Sequence, residues 1–294
     1  MSFLDQRARL QGRVAVVLGG GGGIGAAVSL ALAGAGVDLA IGDIDEPALA
    51  ATQRTVIALG RRVHAQRLDV VDELQLEQFY AGVAREFQRL DIVVNIAGGV
   101  RQRPFMASTA AQCAADIRRN FGYVLDSVRH AVPLIRRGGQ GGSIISFTTI
   151  EAHRGAAGFA VYAGAKAATT NFTRAMAVEL GPERIRLNTI APDTTPSRGN
   201  AEALPPETLS SLAALPEQAM SQGLNMYIPM KQCPSTDDLA NAVLFLASDL
   251  SASVTGTTLH VDGGTMAAAG FVNWPHGDGF LPAPLAGSLR RLFT

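Results

Sequence analysis

The stretch VVLGGGGGIGAAV, residues 16–28, places five consecutive glycines between an apolar run and an alanine-rich segment. Glycine loses more conformational freedom on folding than any other residue, so a run of this length needs a local reason. Three structures would use it: a flexible linker, part of a membrane helix, or a loop that brings bare backbone against a ligand. The sequence on either side of the run decides among them.

The composition limits the class of protein. The chain has 294 residues, 47% of them hydrophobic, with 25 basic and 25 acidic side chains and a formal net charge of zero. Such a chain can bury a full core in one large α/β domain. The neutral balance argues against a nucleic-acid partner. The two cysteines, Cys113 and Cys233, lack disulfide or zinc spacing, so we expect no metal.

A membrane helix is the first alternative for the glycine run. No charge occurs between Val14 and Val37, an interval long enough to span a bilayer. Eight of those residues are glycine, however, and an acidic strand end follows at Asp43. Residues 1–13 also lack the apolar core of a secretion signal. We therefore expect no membrane partner and a cytoplasmic location.

Apolar strand-like runs alternate with alanine-rich helical patterns along the chain. Strands are predicted at 13–19, 37–43, 62–70, 90–98, 142–149, 185–192 and 258–264. Helices are predicted near 24–35, 46–59, 73–88, 109–136, 161–180 and 236–248. Runs of Val, Ile and Leu without strict alternation favour a parallel sheet that is buried on both faces. We predict an α/β fold in one domain, 1–294, with a single doubly wound, Rossmann-like parallel sheet of about seven strands flanked by helices on both faces.

This rhythm puts the glycine run between the first predicted strand and the first predicted helix. At such a turn, a pyrophosphate can meet unpaired N–H groups and the positive end of the helix dipole. Gly19, Gly23 and Gly25 have the spacing G-x-x-x-G-x-G. Asp43 lies 18 residues further, at the end of the second strand, where an acidic side chain bonds a ribose diol. The pattern predicts a dinucleotide-binding loop.

The choice of cofactor follows from charge. Asp43 would repel a 2′-phosphate, and the next residue is Ile44 rather than an arginine that could bind one. The loop itself contains no basic residue. We therefore predict NAD(H) rather than NADP(H). Asp45 is predicted to cap the helix that starts at Glu46.

The segment YAGAK places Tyr162 and Lys166 four residues apart, on one face of a predicted helix. An ammonium beside a phenol favours the phenolate and lowers a pKa that is otherwise about 10. The pair therefore suits acid–base chemistry near neutral pH.

These features resemble the short-chain dehydrogenase/reductase family over residues 10–266. The matching motifs, in the family's order, are G-x-x-x-G-I-G at 19–25, Asp69-Val70, Asn95-Ile-Ala-Gly at 95–98, Asn120, Thr149, Tyr162-x-x-x-Lys166 and NTIAP at 188–192. The resemblance implies hydride transfer between nicotinamide C4 and a carbinol or carbonyl carbon, with Tyr162 exchanging the proton. Lys166 would hold the nicotinamide ribose. Thr149 would bond the substrate oxygen in place of the family's serine, and Asn120 would anchor a proton-relay water.

The resemblance also implies a set of cofactor-binding residues, in which Asp69 and Val70 hold the adenine. The set comprises Gly19, Gly23, Ile24, Gly25, Asp43, Asp69, Val70, Asn95, Ala97, Gly98, Tyr162, Lys166, Pro192, Asp193 and Thr195. Asp193 departs from the family, which has glycine after this proline. Its carboxylate could accept a bond from the nicotinamide carboxamide or from a substrate hydroxyl. It could also crowd the ring, or cap the helical segment that follows.

Two regions fall outside the strand–helix rhythm. Residues 193–233, rich in leucine and methionine, are expected to form a lid over an apolar, bulky substrate. The tail at 266–294 contains Trp274, the only tryptophan of the chain.

The leading prediction is an NAD-dependent oxidoreductase that acts on a secondary alcohol or ketone of an apolar, steroid- or lipid-like molecule. One alternative is a 3-oxoacyl-thioester reductase acting on an acyl carrier protein or CoA ester. Another is a non-catalytic NAD-binding sensor or scaffold. The resemblance also implies a homo-oligomer, a dimer or tetramer packed through the helices at 109–136 and 161–180.

Overall fold

Seven parallel strands form one sheet in the computed structural model of the chain. The structure describes residues 2–100, 102–196, 210–211, 213–273 and 280–282. The strands are β1 (Val14–Leu18), β2 (Asp38–Asp43), β3 (Val63–Arg67), β4 (Ile92–Asn95), β5 (Gly142–Phe147), β6 (Ile185–Pro192) and β7 (Thr258–Val261). Their order across the sheet is β3-β2-β1-β4-β5-β6-β7, which confirms the predicted doubly wound sheet.

Helices connect the strands and cover both faces of the sheet. They are α1 (Phe3–Ala8), α2 (Gly23–Gly34), α3 (Glu46–Ala58), α4 (Glu73–Phe87), α5 (Ala110–Ile117), α6 (Tyr123–Gly138), α7 (Ala160–Leu180), α8 (Glu217–Tyr227), α9 (Thr236–Ala247) and α10 (Thr265–Ala268). Two short antiparallel strands, β8 (Phe271–Asn273) and β9 (Phe280–Pro282), form a second sheet. Among the described helices, none is both long and apolar enough to cross a bilayer.

The continuous apolar character of β1 has a packing reason. Successive side chains of a strand point to opposite faces, and all five residues of β1 are buried. Val16 packs in the cluster that includes α4 and α6, whereas Val17 packs in the cluster that includes α2 and α9. A strand covered on both sides therefore needs apolar residues at every position.

The sequence predicts the start of α3 correctly but misses a break in the helix predicted over 109–136. The predicted cap at Asp45 is confirmed, because its side chain accepts the N–H of Ala48 at 3.1 Å. The single helix predicted over 109–136 is wrong, because a π-helical segment, Arg118–Gly122, separates α5 from α6. This segment carries Asn120, which is fully buried and bonds the backbone of Gly99. Single π turns inside α-helices are frequent at functional sites, and this one carries a predicted site residue.

The strand order reverses between β1 and β4, and open α/β sheets bind ligands beyond the carboxyl ends of their strands at such a point. The glycine loop follows β1, Asn95 ends β4, Thr149 follows β5 and Asp193 follows β6. All four features therefore lie at the same edge of the sheet. Of the predicted lid and tail, residues 197–209 and Trp274 lie outside the described residues.

Candidate active site

The glycine run forms the turn from β1 into α2. Gly19 has a φ of +83°, and a Cβ on it would lie 2.7 Å from the nitrogen of Ala97. A Cβ on Gly25 would lie 1.7 Å from the carbonyl oxygen of Gly19, so no side chain fits where α2 packs against the turn. The helix cap, Gly22, makes no side-chain bond, so the first N–H groups of α2 face outward without a side-chain acceptor. Such a helix start suits a phosphate.

Hydrogen bonds fix the direction of the peptides in this turn. The hydroxyl of Ser29 donates to the carbonyl of Gly20 at 3.1 Å, and that of Thr52 donates to the carbonyl of Gly21 at 2.8 Å. The carboxylate of Asp43 accepts the N–H of Gly21 at 2.8 Å and that of Asp45 at 3.0 Å. Sequence reasoning placed Asp43 beside the loop but missed Ser29 and Thr52. A serine one turn inside an otherwise apolar helix was the available signal.

One basic residue near Asp43 was also missed. Arg67 ends β3 and pairs with Asp43 across the β2–β3 ladder, and its side chain is exposed. Arg67 is 24 positions away from Asp43 in the chain, so the residues next to Asp43 and those of the loop give no sign of it. A guanidinium at this corner bears directly on the choice between NAD and NADP.

The predicted adenine pair lies in the turn after β3. The carboxylate of Asp69 accepts the N–H of Val71 at 3.2 Å, and its own N–H donates to Gln75 at 3.0 Å. Val70 is buried. Ile24, at the start of α2, packs against the core on the other side of the loop.

The turn after β4 is held by buried polar contacts. Asn95 accepts a hydrogen bond from the hydroxyl of Ser127 at 2.7 Å and donates to Ser146 at 3.2 Å. The carbonyl of Ala97 accepts from the hydroxyl of Tyr123 at 2.6 Å. The Asn95 side chain is thus engaged inside the protein, and the backbone beyond it is what faces the site.

The predicted catalytic residues meet around the ends of β4 and β5. Lys166 is buried on α7 and donates from Nζ to the carbonyl of Phe147 at 2.9 Å, while Nζ lies 6.0 Å from the centre of the Tyr162 ring. A Cβ on Gly98 would lie 2.8 Å from Oδ1 of Asn120 and 3.4 Å from Nζ of Lys166, so these two side chains flank Gly98. The Thr149 hydroxyl lies close enough to the Tyr162 phenol to oppose, weakly, the rise of the Tyr162 pKa that burial causes. The four residues, far apart in sequence, occupy one site.

A family profile described as Enoyl-(Acyl carrier protein) reductase matches residues 19–266. The chain belongs to the short-chain dehydrogenase/reductase family. Members of this family act on hydroxyl or keto groups, so the protein is an oxidoreductase and its substrate is a small molecule.

Three comparisons give the degree of similarity within the family. The 7alpha-hydroxysteroid dehydrogenase of Escherichia coli K12 is 31% identical over 266 residues, which cover 89% of this chain and 97% of that protein. The 3-oxoacyl-[acyl-carrier-protein] reductase FabG of Thermotoga maritima is 30% identical over 256 residues, with coverage of 87% and 98%. The crystal structure of carveol dehydrogenase from Mycobacterium avium, in complex with NAD, has a TM-score of 0.80 at 30% identity, with coverage of 88% and 99%.

In this short-chain dehydrogenase/reductase, the expected lowering of the Tyr162 pKa by Lys166 is wrong. The pKa of Tyr162 is raised to about 12, first because the phenol is buried and next because the carboxylate of Glu151 is close. Nζ of Lys166 is directed at the Phe147 carbonyl rather than at the phenol. Burial also lowers the pKa of Lys166 to about 8.

A polar chain links Thr149 to the lid region, and sequence reasoning missed it. The hydroxyl of Thr149 donates to Oε2 of Glu151. Oε1 of Glu151 accepts from Arg154 at 3.1 Å, and Arg154 donates to the hydroxyl of Tyr227 at 2.6 Å. The guanidinium carbon also lies 5.7 Å from the centre of the Tyr227 ring. Tyr227 ends α8, so the chain of contacts runs from the Thr149 hydroxyl to that helix.

Asp193 extends from β6 beside this chain of contacts. Its Oδ1 accepts from the Thr194 hydroxyl at 3.3 Å, and its backbone carbonyl accepts from the hydroxyl of Thr195 at 3.2 Å. Its Oδ2 is buried and has no hydrogen-bond partner among the described residues. The pKa of Tyr227 is raised to about 12, mainly by burial, and the nearby Asp193 carboxylate contributes. The helical segment that Asp193 was expected to cap lies outside the described residues.

Proposed function

We propose that the protein transfers a hydride between NAD(H) and a secondary alcohol or ketone borne on an apolar, ring-containing molecule of steroid- or lipid-like character. The observation that carries the proposal is the meeting of Thr149, Tyr162 and Lys166 beyond β5, beside the glycine turn. The names of two relatives, a hydroxysteroid dehydrogenase and a carveol dehydrogenase, support a ring-borne alcohol as the substrate class.

The residues at the glycine turn suit NAD. A turn that no Cβ could enter at Gly19 and Gly25 leaves backbone N–H groups for a pyrophosphate. Each carboxylate oxygen of Asp43 accepts one backbone N–H, which leaves lone pairs for the ribose hydroxyls. The proposed cofactor-binding set is completed by Gly23, Ile24, Asp69, Val70, Asn95, Ala97, Gly98, Tyr162, Lys166, Pro192 and Thr195. When bound, NAD supplies the hydride acceptor at nicotinamide C4.

The protein's own groups handle the substrate oxygen. Oη of Tyr162 takes the proton of the alcohol during oxidation and returns it during reduction. Lys166 is proposed to hold the nicotinamide ribose beside Gly98, and Thr149 to orient the substrate oxygen. Asn120 bonds both the N–H and the carbonyl of Gly99 at 3.1 Å, so its proposed role in proton relay acts through a turn that its side chain already fixes.

The helix α8 lies within the segment that is proposed to form a lid over the substrate. Residues 193–233 are proposed to cover the substrate within one domain that spans 1–294. The bond between Tyr227 and Arg154 supports this position, because it joins the end of α8 to the loop that carries Thr149. Ile228, which follows α8, is 1% exposed and anchors the segment in the core.

A 3-oxoacyl-thioester reductase is the second candidate. It is favoured by the description of the matching family profile and by the similarity to FabG. The exposed guanidinium of Arg67 next to Asp43 favours it too, because such a side chain could bind the 2′-phosphate of NADPH.

We also propose a homo-oligomer that packs through α6 and α7. A groove of about 570 Å³ lies between these helices. Its apolar lining consists of Leu125, Val128, Val132, Pro133, Phe172, Met176 and Leu180. Light scattering should give two or four times the chain mass of 30.7 kDa, and Phe172→Glu should lower that mass. A monomeric wild type would contradict this interface.

Tyr162→Phe tests the proposed chemistry. The variant should lose turnover of secondary alcohols, while its dissociation constant for NAD⁺, measured by calorimetry, should change little, because phenylalanine keeps the ring and Lys166 remains. Tyr80→Phe is a matched control, because the Tyr80 hydroxyl bonds Ser127 in the core and should affect stability alone. Wild-type-like turnover by Tyr162→Phe would reject the mechanism. A wild type that binds NAD⁺ and turns over no alcohol or ketone would favour the non-catalytic sensor.

A further inference from the structure

Thr149 and Asp193 follow two adjacent, paired strands, β5 and β6. The N–H of Thr148 donates to the carbonyl of Ile190 at 2.8 Å, so the two chains are still paired three residues before Asp193. Neighbouring strands in a sheet lie about 4.8 Å apart. The two residues therefore leave the same edge of the sheet from neighbouring strands, so that one small substrate can meet both side chains.

The free oxygen of Asp193 needs a hydrogen-bond donor. Its Oδ2 is removed from solvent and unpartnered in the described part of the chain, which is costly for a carboxylate oxygen. The Tyr227 hydroxyl accepts from Arg154 and lies close enough to the Asp193 carboxylate to interact with it, although no hydrogen bond to Oδ2 is complete among the described residues. Arg154 directs its terminal nitrogen to Glu151 and Tyr227 instead. The Arg154 nitrogen is therefore engaged elsewhere, and Oδ2 keeps an unfilled acceptor position.

The charges around this position determine which ligands it can accept. Among the described residues, the carboxylates of Glu151 and Asp193 both lie near the guanidinium of Arg154, and that guanidinium is paired with Glu151. The charge of Asp193 also helps to raise the pKa of the Cys233 thiol, after the effect of burial. A negatively charged substrate group would be repelled here, whereas a neutral hydroxyl can donate.

We propose that Asp193 is a specificity-determining residue whose Oδ2 accepts a hydrogen bond from a second hydroxyl of the substrate, close to the reacting carbinol. The preferred substrates are then neutral diols, of which a vicinal ring diol is the simplest. The reacting hydroxyl meets Thr149 and Tyr162, and its neighbour meets Asp193. This inference rests on the proposed function, since it requires the reacting carbinol to lie beside Thr149.

The test compares oxidation of cis-1,2-cyclohexanediol with oxidation of cyclohexanol, using the full chain and NAD⁺. The wild type should favour the diol in kcat/KM by roughly 10- to 100-fold, the usual effect of one hydrogen bond to a charged group. In Asp193→Gly this preference should fall towards one, because the diol loses its acceptor while cyclohexanol does not. Asp193→Asn, of nearly the same shape, should retain part of the preference. Asp249→Asn, far from the site in an ion pair with Arg13, should leave it unchanged.

Two further measurements separate the alternatives. If Asp193 bonds the nicotinamide carboxamide instead, Asp193→Gly will weaken NAD⁺ binding in calorimetry and slow both alcohols equally, which overturns the proposal. An equal diol preference in the wild type and in Asp193→Gly, or no preference in the wild type, also overturns it. If neither alcohol is oxidised, the proposed function fails. In that case the role of Asp193 is tested by the dissociation constant of the diol, measured in the presence of NADH for the wild type and for Asp193→Gly. Weaker binding by Asp193→Gly supports the role of Asp193, and equal binding rejects it.

Discussion

The hydroxyl of Thr149 donates to the carboxylate of Glu151, two residues further along the chain. A threonine hydroxyl has one proton and two lone pairs. While that proton is bonded to Glu151, Thr149 can offer a substrate oxygen only lone pairs. The same carboxylate helps to raise the pKa of Tyr162, after the larger effect of burial. Glu151 therefore acts on both groups that are proposed to meet the substrate oxygen.

Replacing Glu151 by glutamine should make Tyr162 a stronger acid. Without the negative charge, the pKa of the phenol falls from its raised value, because nothing then opposes the phenolate except burial. Oxidation of an alcohol uses the phenolate as base, so the rising limb of kcat/KM against pH should move to lower pH. The measurement is the pH dependence of alcohol oxidation at saturating cofactor.

The control for this experiment is Glu183→Gln. Glu183 pairs with Arg136 at 2.6 Å, on the surface and away from the site, so its pH profile should match that of the wild type. A Glu151→Gln profile that coincides with both would mean that Glu151 has no influence on the proton-transfer step.

The sheet could be predicted because its determinants are local. The strand β1 is an unbroken apolar run, and the helix α3 starts with its own capping residue, Asp45. The contact between Arg154 and Tyr227 could not be predicted in this way, because the two residues are 73 positions apart. The hydrophobic periodicity of one segment does not show which other segment will pack against it. The π segment at Asn120 was missed for a related reason. Its cause is a buried side chain that bonds a distant turn, not a pattern of apolar residues.

The pKa of Tyr162 could not be predicted from the sequence for a different reason. Four-residue spacing correctly placed Tyr162 and Lys166 on one helix, yet spacing says nothing about where the ammonium points or how deeply the pair is buried. Glu151 is only two residues after Thr149 in the sequence. Its contact with Thr149 depends on the short 3-10 turn Ile150–Ala152, which brings its carboxylate back to the threonine hydroxyl.

Gly25→Ala should damage the glycine turn. A Cβ there would lie 1.7 Å from the carbonyl oxygen of Gly19, so α2 or the turn must shift, with a loss of several kcal/mol in the free energy of unfolding and a loss of NAD⁺ binding. Gly34→Ala, in the last turn of the same helix, meets nothing within 4 Å and should be neutral or stabilising by up to about 1 kcal/mol. Denaturant unfolding of the two variants checks both values. Equal stability would show that α2 tolerates a side chain at Gly25.

Burial of Lys166 should make stability depend on pH between about 8 and 10. The folded protein holds the pKa of Lys166 at about 8, against 10.5 for the free side chain, so the unfolded chain binds more protons in this range. The free energy of unfolding therefore rises with pH there, by about 2 kcal/mol from this group. Lys166→Met should lack this rise, and the difference between the two curves removes the contributions of the buried tyrosines. Parallel curves would mean that Lys166 keeps an ordinary pKa in the folded protein.

Thermal unfolding in the presence of NAD⁺ or NADP⁺ tests the proposed cofactor. A ligand that binds only the folded protein adds about 2.7 kcal/mol at a hundred times its dissociation constant, which raises the Tm by several degrees for a chain of this size. We expect the rise with NAD⁺, because the Asp43 carboxylate can accept the ribose hydroxyls and repels a 2′-phosphate. Asp43→Ala should lose much of that rise. Arg67→Gln, at the paired position on β3, should leave the effect of NAD⁺ intact.

A larger rise of the Tm with NADP⁺ than with NAD⁺ would contradict the proposed cofactor. If NADP⁺ gives the larger rise and Arg67→Gln abolishes it, the guanidinium at the end of β3 outweighs the carboxylate at the end of β2. The 3-oxoacyl-thioester reductase then becomes the better proposal, and acyl thioesters replace ring alcohols as the first compounds to assay.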